Sequence, residues 1–525
     1  MSTALDSAKV DPRLIRETAI AHGVCVRPII QELYDTKTGQ VRLVPIPCGF
    51  TKQNKCPPCA DAARRLRMQQ CREGWHLEEE PVPVEEPDDD SEGADDENDP
   101  CADDGEQADD QASRRVRSTR RRQDVPDLPK VEQTNTTLGR TFEAADGKTY
   151  RPSMFLTLTL DSYGRVRPDG TPVDPDSYDY RRAALDALHF GKLVDRFWQN
   201  LRRCAGYKVQ YFATVEPQKR RAPHLHAAVR GVIPREVVRQ VVEATYHQLW
   251  WPRHDAPVFP EGGPMPRWDP TLRQYVMPDT GRPLATWERA LKRIDGDPYA
   301  EPAHVLRFGV QMDYQGILAG SADRDRRIGY LTKYLTKTIA GERKELTRRQ
   351  REHAERLHEE IRWLPCSPEC SNWLRYGVQP KNPVAGMKPG QCPKRAHELD
   401  NLGYGGRRVL VSRKWTGKTL ADHKADRTEV VRQALAAAGI EMEDVDRYSA
   451  TATDDDGKPR YIWSPLDPKD TDPPTYKQII LTAIADKQRW RAQYEQAKAQ
   501  AGCDPGNYSA TEAAREHGEG AMGHG

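Results

Sequence analysis

An α+β fold is predicted for this chain of 525 residues by three observations. Runs rich in β-branched and aromatic residues at 153–160, 207–217 and 224–232 read as strands. The segments 181–204 and 234–251 carry apolar residues at three- and four-residue spacing and read as helices, the second opening on a proline in its first turn. Eleven cysteines are too sparse for a disulfide scaffold, and their clustering suggests small metal-braced modules beside the main body.

The remaining elements divide the chain. Residues 1–75 form a cysteine-containing module, 76–148 a disordered linker, and 149–345 the main α+β domain. A second Cys/His module occupies 346–420, opened by a charged helix at 346–364, and 421–525 is a helical region with a frayed, Gly-rich tail. A strand at 304–313 and amphipathic helices at 427–439 and 474–500 complete the reading. The linker is acidic first: between Glu78 and Gln111 there are 18 acidic residues and no Lys or Arg. Such a like-charged, apolar-poor tract cannot offset the entropy of ordering. Arg114, Arg115, Arg117, Arg120, Arg121 and Arg122 follow it.

The overall charge of +1 conceals this segregation. Outside the tract, 80 basic residues face 61 acidic ones, a net charge of +19 that suits a polyanionic partner. No apolar run approaches the roughly 18–20 residues that span a bilayer, and the N-terminus lacks a secretory apolar region. The expected setting is cytoplasmic, without a membrane partner.

His224 and His226 flank one apolar residue in PHLHAAVRG, so on a strand both imidazoles share a face. Glu216 ends the preceding strand, and the segment PQKRRAP can turn the chain so that the carboxylate joins them. Two imidazoles and a carboxylate with open positions suit Mg²⁺ or Mn²⁺ and leave room for a phosphate oxygen. Downstream, YLTKYLTK sets Tyr330 and Tyr334 one helical turn apart, each followed three positions later by a lysine, Lys333 and Lys337. A free phenol titrates near pH 10, so a neighbouring cation is what a tyrosine nucleophile needs at neutrality. Thr157 and Thr159 in MFLTLTL share a strand face and can support the histidines.

The ordered combination of MFLTLTL, HLH and YLTKYLTK resembles the HUH endonucleases, and the Tyr-x-x-x-Tyr-x-x-Lys pattern resembles their two-tyrosine rolling-circle initiators. Further stretches are similar to replication initiators of actinobacterial plasmids and integrative elements. They are CVRP, VPIPCGFTKQNKCPPCA, FLTLTLDSYGRV, EPQKRRAPHLHAAVRG, CSPECSNWLRYGVQPK and NLGYGGRRVLVSRKW, and with them the resemblance covers most of residues 25–420. It implies a central antiparallel sheet flanked by helices, with the HLH strand inside it and the tyrosine helix facing the metal. It also implies metal binding by His224 and His226, with Glu216 as third ligand, and nucleophile roles for Tyr330 and Tyr334.

Cys56 and Cys59 form a knuckle pair that Cys25 and Cys48 can complete as a structural Cys₄ zinc site. A second, looser set is Cys366, Cys370, Cys392 and His397. Arg407 and Arg408, in a Gly-rich turn, with Arg413 and Lys414 beyond an apolar strand, can face a DNA backbone. The expected function is therefore plasmid replication initiation: binding the double-strand origin, nicking one strand through tyrosine, and leaving a 3′-hydroxyl primer. No G-x₄-GK[ST] phosphate loop is present, so strand separation would fall to a host helicase and extension to a host polymerase. The alternatives are a conjugative relaxase or an HUH transposase, and, from another class, a non-catalytic zinc-containing DNA-binding regulator.

Overall fold

The computed structural model describes residues 11–81, 122–143, 149–333, 346–406, 408–437, 457–466 and 473–500, with single positions 145, 147, 335 and 453. Two compact units emerge, Cys71–Gly417 and Met1–Gln70 with Lys418–Gly525. Among the described residues no helix is long and apolar enough to cross a membrane.

The larger unit is built on five strands: β1 (Ser153–Leu158), β2 (Tyr211–Pro217), β3 (Pro223–Val229), β4 (Met312–Ile317) and β5 (Val409–Val411). They lie in the order β4-β1-β3-β2-β5, every pairing antiparallel, so β3 with its two histidines is the central strand. Strand alternation assigns the faces. Met154, Leu156, Leu158, Ala213, Val215, Leu225, Ala227 and Val229 enter the main core. Against them packs α1 (Tyr180–Cys204), through Phe190, Leu193, Val194, Phe197 and Leu201. Each such side chain contributes about 1.5–3 kcal/mol on burial. Asp179 starts this helix by accepting a hydrogen bond from the Arg182 amide at 2.9 Å, and Arg202 and Arg203 in its last turn complement the helix dipole.

The helix expected at 234–251 is shorter, α2 (Arg235–Ala244). At Thr245 the hydroxyl turns back to the Val241 carbonyl, 2.6 Å away, and Tyr246–Leu249 becomes a strand paired with His304–Arg307. The single strand expected at 304–313 is accordingly two, His304–Arg307 and β4, in different sheets. Gly309 marks the break: a Cβ there would stand 2.7 Å from Asp161 Oδ1 and 2.9 Å from its backbone nitrogen. Three further helices follow, α3 (Trp287–Asp295), α4 (Ala322–Lys333) and α5 (Arg348–Trp363).

Part of the linker expected at 76–148 is built into the fold. Residues 82–121, with most of the acidic tract and Arg114 to Arg121, lie outside the described residues. Residues 122–143 are held along the larger unit, with the Thr134 amide donating to Gly206 and the Lys208 amide to Thr136, both at 2.9 Å. Glu80 accepts from the Thr137 amide at 2.7 Å. Arg230, 1% exposed, bonds the carbonyls of Gly74, Lys414 and Trp415 and the Thr137 hydroxyl. These partners account for the order: backbone and charged groups find hydrogen bonds that composition alone does not reveal.

The second Cys/His segment also differs from its expected boundaries. Its Cys370, Trp373, Tyr376 and Val378 share a core with Trp287 and Ala290 of α3 and with Trp251. Residues 251–295 therefore belong to it structurally, although they precede the tyrosine helix in sequence.

The smaller unit joins segments that were expected to stand apart, 1–75 and 421–525. Strand Ile29–Asp35 pairs with Val41–Ile46 on one side and with Tyr461–Pro465 on the other. Ile15, Ala19, Val24 and Val26 pack with Ile480 and Ile484 of the C-terminal helix.

Candidate active site

The sheet face opposite the main core carries the polar side chains. β2 and β3 are joined by the short turn Gln218–Ala222, where the Gln218 amide donates to Ala222 and Arg221 takes a left-handed φ of 67°. This register sets Glu216 directly opposite His224, and His226 opposite Thr214 on one side and Thr157 on the other. The ligand atoms of Glu216, His224 and His226 all lie within 4.8 Å of one another, and the two imidazole centroids are 4.2 Å apart. Thr157 Oγ1 is 2.9 Å from His226 Nδ1. Thr159 does not join it; its hydroxyl donates to the Gln311 carbonyl at 3.0 Å.

Helix α4 lays Tyr330 over this face, anchored by buried Ile328, Leu331 and Thr332. The Tyr330 hydroxyl is 3.2 Å from His226 Nε2, and its ring meets those of His226 and Phe155 edge-on. The His226 tautomer with Nδ1–H donating to Thr157 leaves Nε2 to accept from Tyr330, satisfying both bonds. Lys333, one turn further along α4, is exposed. Tyr334 and Lys337 lie outside the described residues.

Electrostatics favour neutral groups here. Burial pushes the Glu216 carboxyl up to about 8, against the pull of the Arg408 and Lys333 charges. Burial lowers His224 to about 4, helped by Arg220, and lowers His226 to about 3, helped by His224 and Arg327. Both imidazoles therefore offer lone pairs at neutral pH. Glu216 Oε1 is buried with no hydrogen-bond partner. An orphaned buried carboxylate oxygen beside two neutral imidazoles fits a divalent cation.

Two arginines at this site, Arg327 and Arg220, were not singled out as site residues by the sequence, and a third, Arg408, was expected elsewhere. Arg327 stacks over the Phe155 ring, 4.9 Å from its centroid, and bonds Gln315. It precedes Tyr330 by three residues, the one signal that could have revealed it. Arg220 holds the carbonyls of Leu160 and Asp161 beside His224. Arg408, expected to face DNA, is instead half-buried, with Nε 3.3 Å from the Val215 carbonyl and its charge beside Glu216. Pairing of β5 with β2 draws it inward. Arg407 lies outside the described residues, whereas Arg413 and Lys414 are exposed on the turn after β5.

Both cysteine clusters close in space. The Sγ atoms of Cys25 and Cys56 are 3.8 Å apart, and those of Cys48 and Cys59 are 3.7 Å apart. A zinc–sulfur bond of about 2.3 Å gives a tetrahedral edge of about 3.8 Å. In the second set, Cys370 Sγ is 3.6 Å from His397 Nε2, near the mixed sulfur–nitrogen edge of about 3.5 Å. His397 Nδ1–H donates to the Ile361 carbonyl at 2.9 Å, which turns the Nε2 lone pair toward Cys366, Cys370 and Cys392. The residues of both clusters fit zinc.

The fold and this site describe an α+β protein with a histidine–carboxylate cluster under a tyrosine helix. The family model described as "Replication initiator protein, pSAM2" matches residues 11–486, and the chain belongs to that replication initiator family. A curated relative, a replication initiator protein of Streptomyces ambofaciens, is 30% identical over 271 residues, 42% of this chain. The chain matches about half of that relative's length, 52%. No solved structure matches the chain.

Proposed function

We propose that this initiator nicks one strand of its plasmid origin by tyrosine attack at a divalent metal site, in the manner of the HUH endonucleases. The observation that carries the reading is the Tyr330 hydroxyl 3.2 Å from His226, within a three-residue ligand cluster. Glu216, His224 and His226 would hold Mg²⁺ or Mn²⁺. Bound there, the ion would act as a Lewis acid on the scissile phosphate. The Tyr330 oxygen forms a bond to phosphorus, and the bond from phosphorus to the 3′ oxygen breaks. The phenol gives up its proton, and the departing oxygen takes one up as the free 3′-hydroxyl that primes synthesis. Lys333 and Arg327 supply positive charge where negative charge builds up. Tyr334 and Lys337, the second unit of the repeat, would serve the strand-joining step.

Zinc at Cys25, Cys48, Cys56 and Cys59, and at Cys366, Cys370, Cys392 and His397, would be structural. Arg413 and Lys414 offer exposed cations to origin DNA. A host helicase and polymerase would act after the nick.

The test uses a labelled origin oligonucleotide with Mn²⁺, followed by mass spectrometry of tryptic peptides. A 5′-phosphate on the peptide bearing Tyr330 or Tyr334 is expected. The Tyr330→Phe, Tyr334→Phe double variant should form no adduct yet keep duplex binding; normal nicking by that variant would refute the assignment.

A further inference from the structure

Beside the site, at the ends of β1 and β4, lies a groove of about 550 Å³. That is within the range of ligand sites, roughly 300–1,000 Å³. Its walls are apolar: Val242 of α2, Phe308 and Met312. Its rim is polar and includes Thr159, Gln311 and the Asp313 carboxylate, which can bond the edge of a planar base. At the mouth stand Arg235 and Arg239, one helical turn apart on α2 and both exposed. Among the described residues neither guanidinium makes a hydrogen bond or ion pair. Many other surface arginines here do, such as Arg348 with Glu352 and Arg356 with Asp176. Thr157 is common to the groove and the metal cluster: it lines the one and bonds His226 of the other at 2.9 Å.

We propose that this groove binds one nucleotide of the nicked single strand, next to the scissile phosphate, with its base against Phe308 and Met312 and its phosphate on Arg235 and Arg239. The proposal rests on the nuclease reading above and assigns that site its single-strand subsite. An apolar slot with a hydrogen-bonding rim suits a base, and two unpaired guanidiniums suit the phosphate beside it. A double helix would keep its bases stacked inside, so the occupant is single-stranded.

The test separates binding from cleavage by working on the zinc-loaded full chain without added Mg²⁺ or Mn²⁺, with fluorescein-labelled oligothymidylate of eight nucleotides as the probe. Arg235→Ala with Arg239→Ala should weaken binding about tenfold. It should also reduce the slope of log affinity against log salt by about 1.4, at about 0.7 per phosphate contact. Unchanged affinity and slope would overturn the phosphate assignment. An abasic octamer of the same charge should bind the wild-type chain about tenfold more weakly; equal binding would overturn the base slot. His224→Ala with His226→Ala should still bind the oligonucleotide without added Mg²⁺ or Mn²⁺ while losing Mn²⁺ uptake by calorimetry. If that variant lost the oligonucleotide too, the groove would not be a separate subsite. If the wild type bound the probe as described but formed no tyrosine adduct with Mn²⁺, the nuclease reading would fail and the subsite would stand.

Discussion

Metal binding at the histidine–carboxylate cluster should release a proton, and the amount can be worked from the site. Burial holds Glu216 at about 8, and the imidazoles sit at about 4 and 3. At pH 7 the carboxyl is therefore about 90% protonated and both histidines are neutral. Ligation requires the carboxylate, so Mn²⁺ should displace about 0.9 proton at pH 7. Apparent affinity should rise about tenfold, or about 1.4 kcal/mol, per pH unit between pH 5 and 7, and level off above 8. The assay is isothermal calorimetry of Mn²⁺ into zinc-saturated protein, in buffers of different ionisation heat, which counts protons directly. Glu216→Gln should bind more weakly, with near-zero proton release and no slope over that range. Absence of release from the wild type, or the same slope in Glu216→Gln, would refute the reasoning. Stability of the metal-free chain follows with the opposite sign. The folded state keeps a proton on Glu216 that the unfolded state loses above 4.5, so stability falls from pH 4.5 to 8, by up to about 5 kcal/mol. The histidines contribute stability above 6.5 that is lost as pH falls below it, since only the unfolded chain protonates them readily.

Three other outcomes are expected. Thr157→Val removes the partner of His226 Nδ1 and should lower Mn²⁺ affinity 10- to 100-fold, measured by the same calorimetry, with little change in urea midpoint. Elemental analysis should find two zinc ions per chain, with Cys59→Ser or Cys392→Ser each reducing the count to one; two ions in either variant would refute its site. Arg230→Met leaves the carbonyls of Gly74, Lys414 and Trp415 without their buried donor and should cost about 3–5 kcal/mol in urea unfolding. A loss below about 1 kcal/mol would show that water replaces the guanidinium.

Much of the site was legible because its spacing is local. HLH on a strand fixes two imidazoles on one face whatever the rest of the chain does, and Glu216 lies one tight turn away. The cysteine pairs were legible for the same reason, since Cys56 and Cys59 or Cys366 and Cys370 are close along the chain. Helix α1 followed from its uninterrupted apolar periodicity and differs from the expected span only at its first residue. What the sequence by itself determined was thus the repertoire of chemistry: ligand types, a candidate nucleophile, and the family they belong to.

Tertiary structure decided which of these groups meet. The approach of Tyr330 to His226 joins residues 104 positions apart, and no local spacing encodes it. Arg408 reads as a surface cation in its Gly-rich turn, yet pairing of β5 with β2 brings it beside Glu216. Residues 122–143 read as linker because their hydrogen-bond partners, Gly206 and Glu80, lie elsewhere in the chain. The same holds for strand Tyr461–Pro465, which completes a sheet begun at Ile29. The physical reason is common to all four: periodicity reports which face of an element is apolar, whereas the partner of that face is selected by long-range packing and hydrogen bonding.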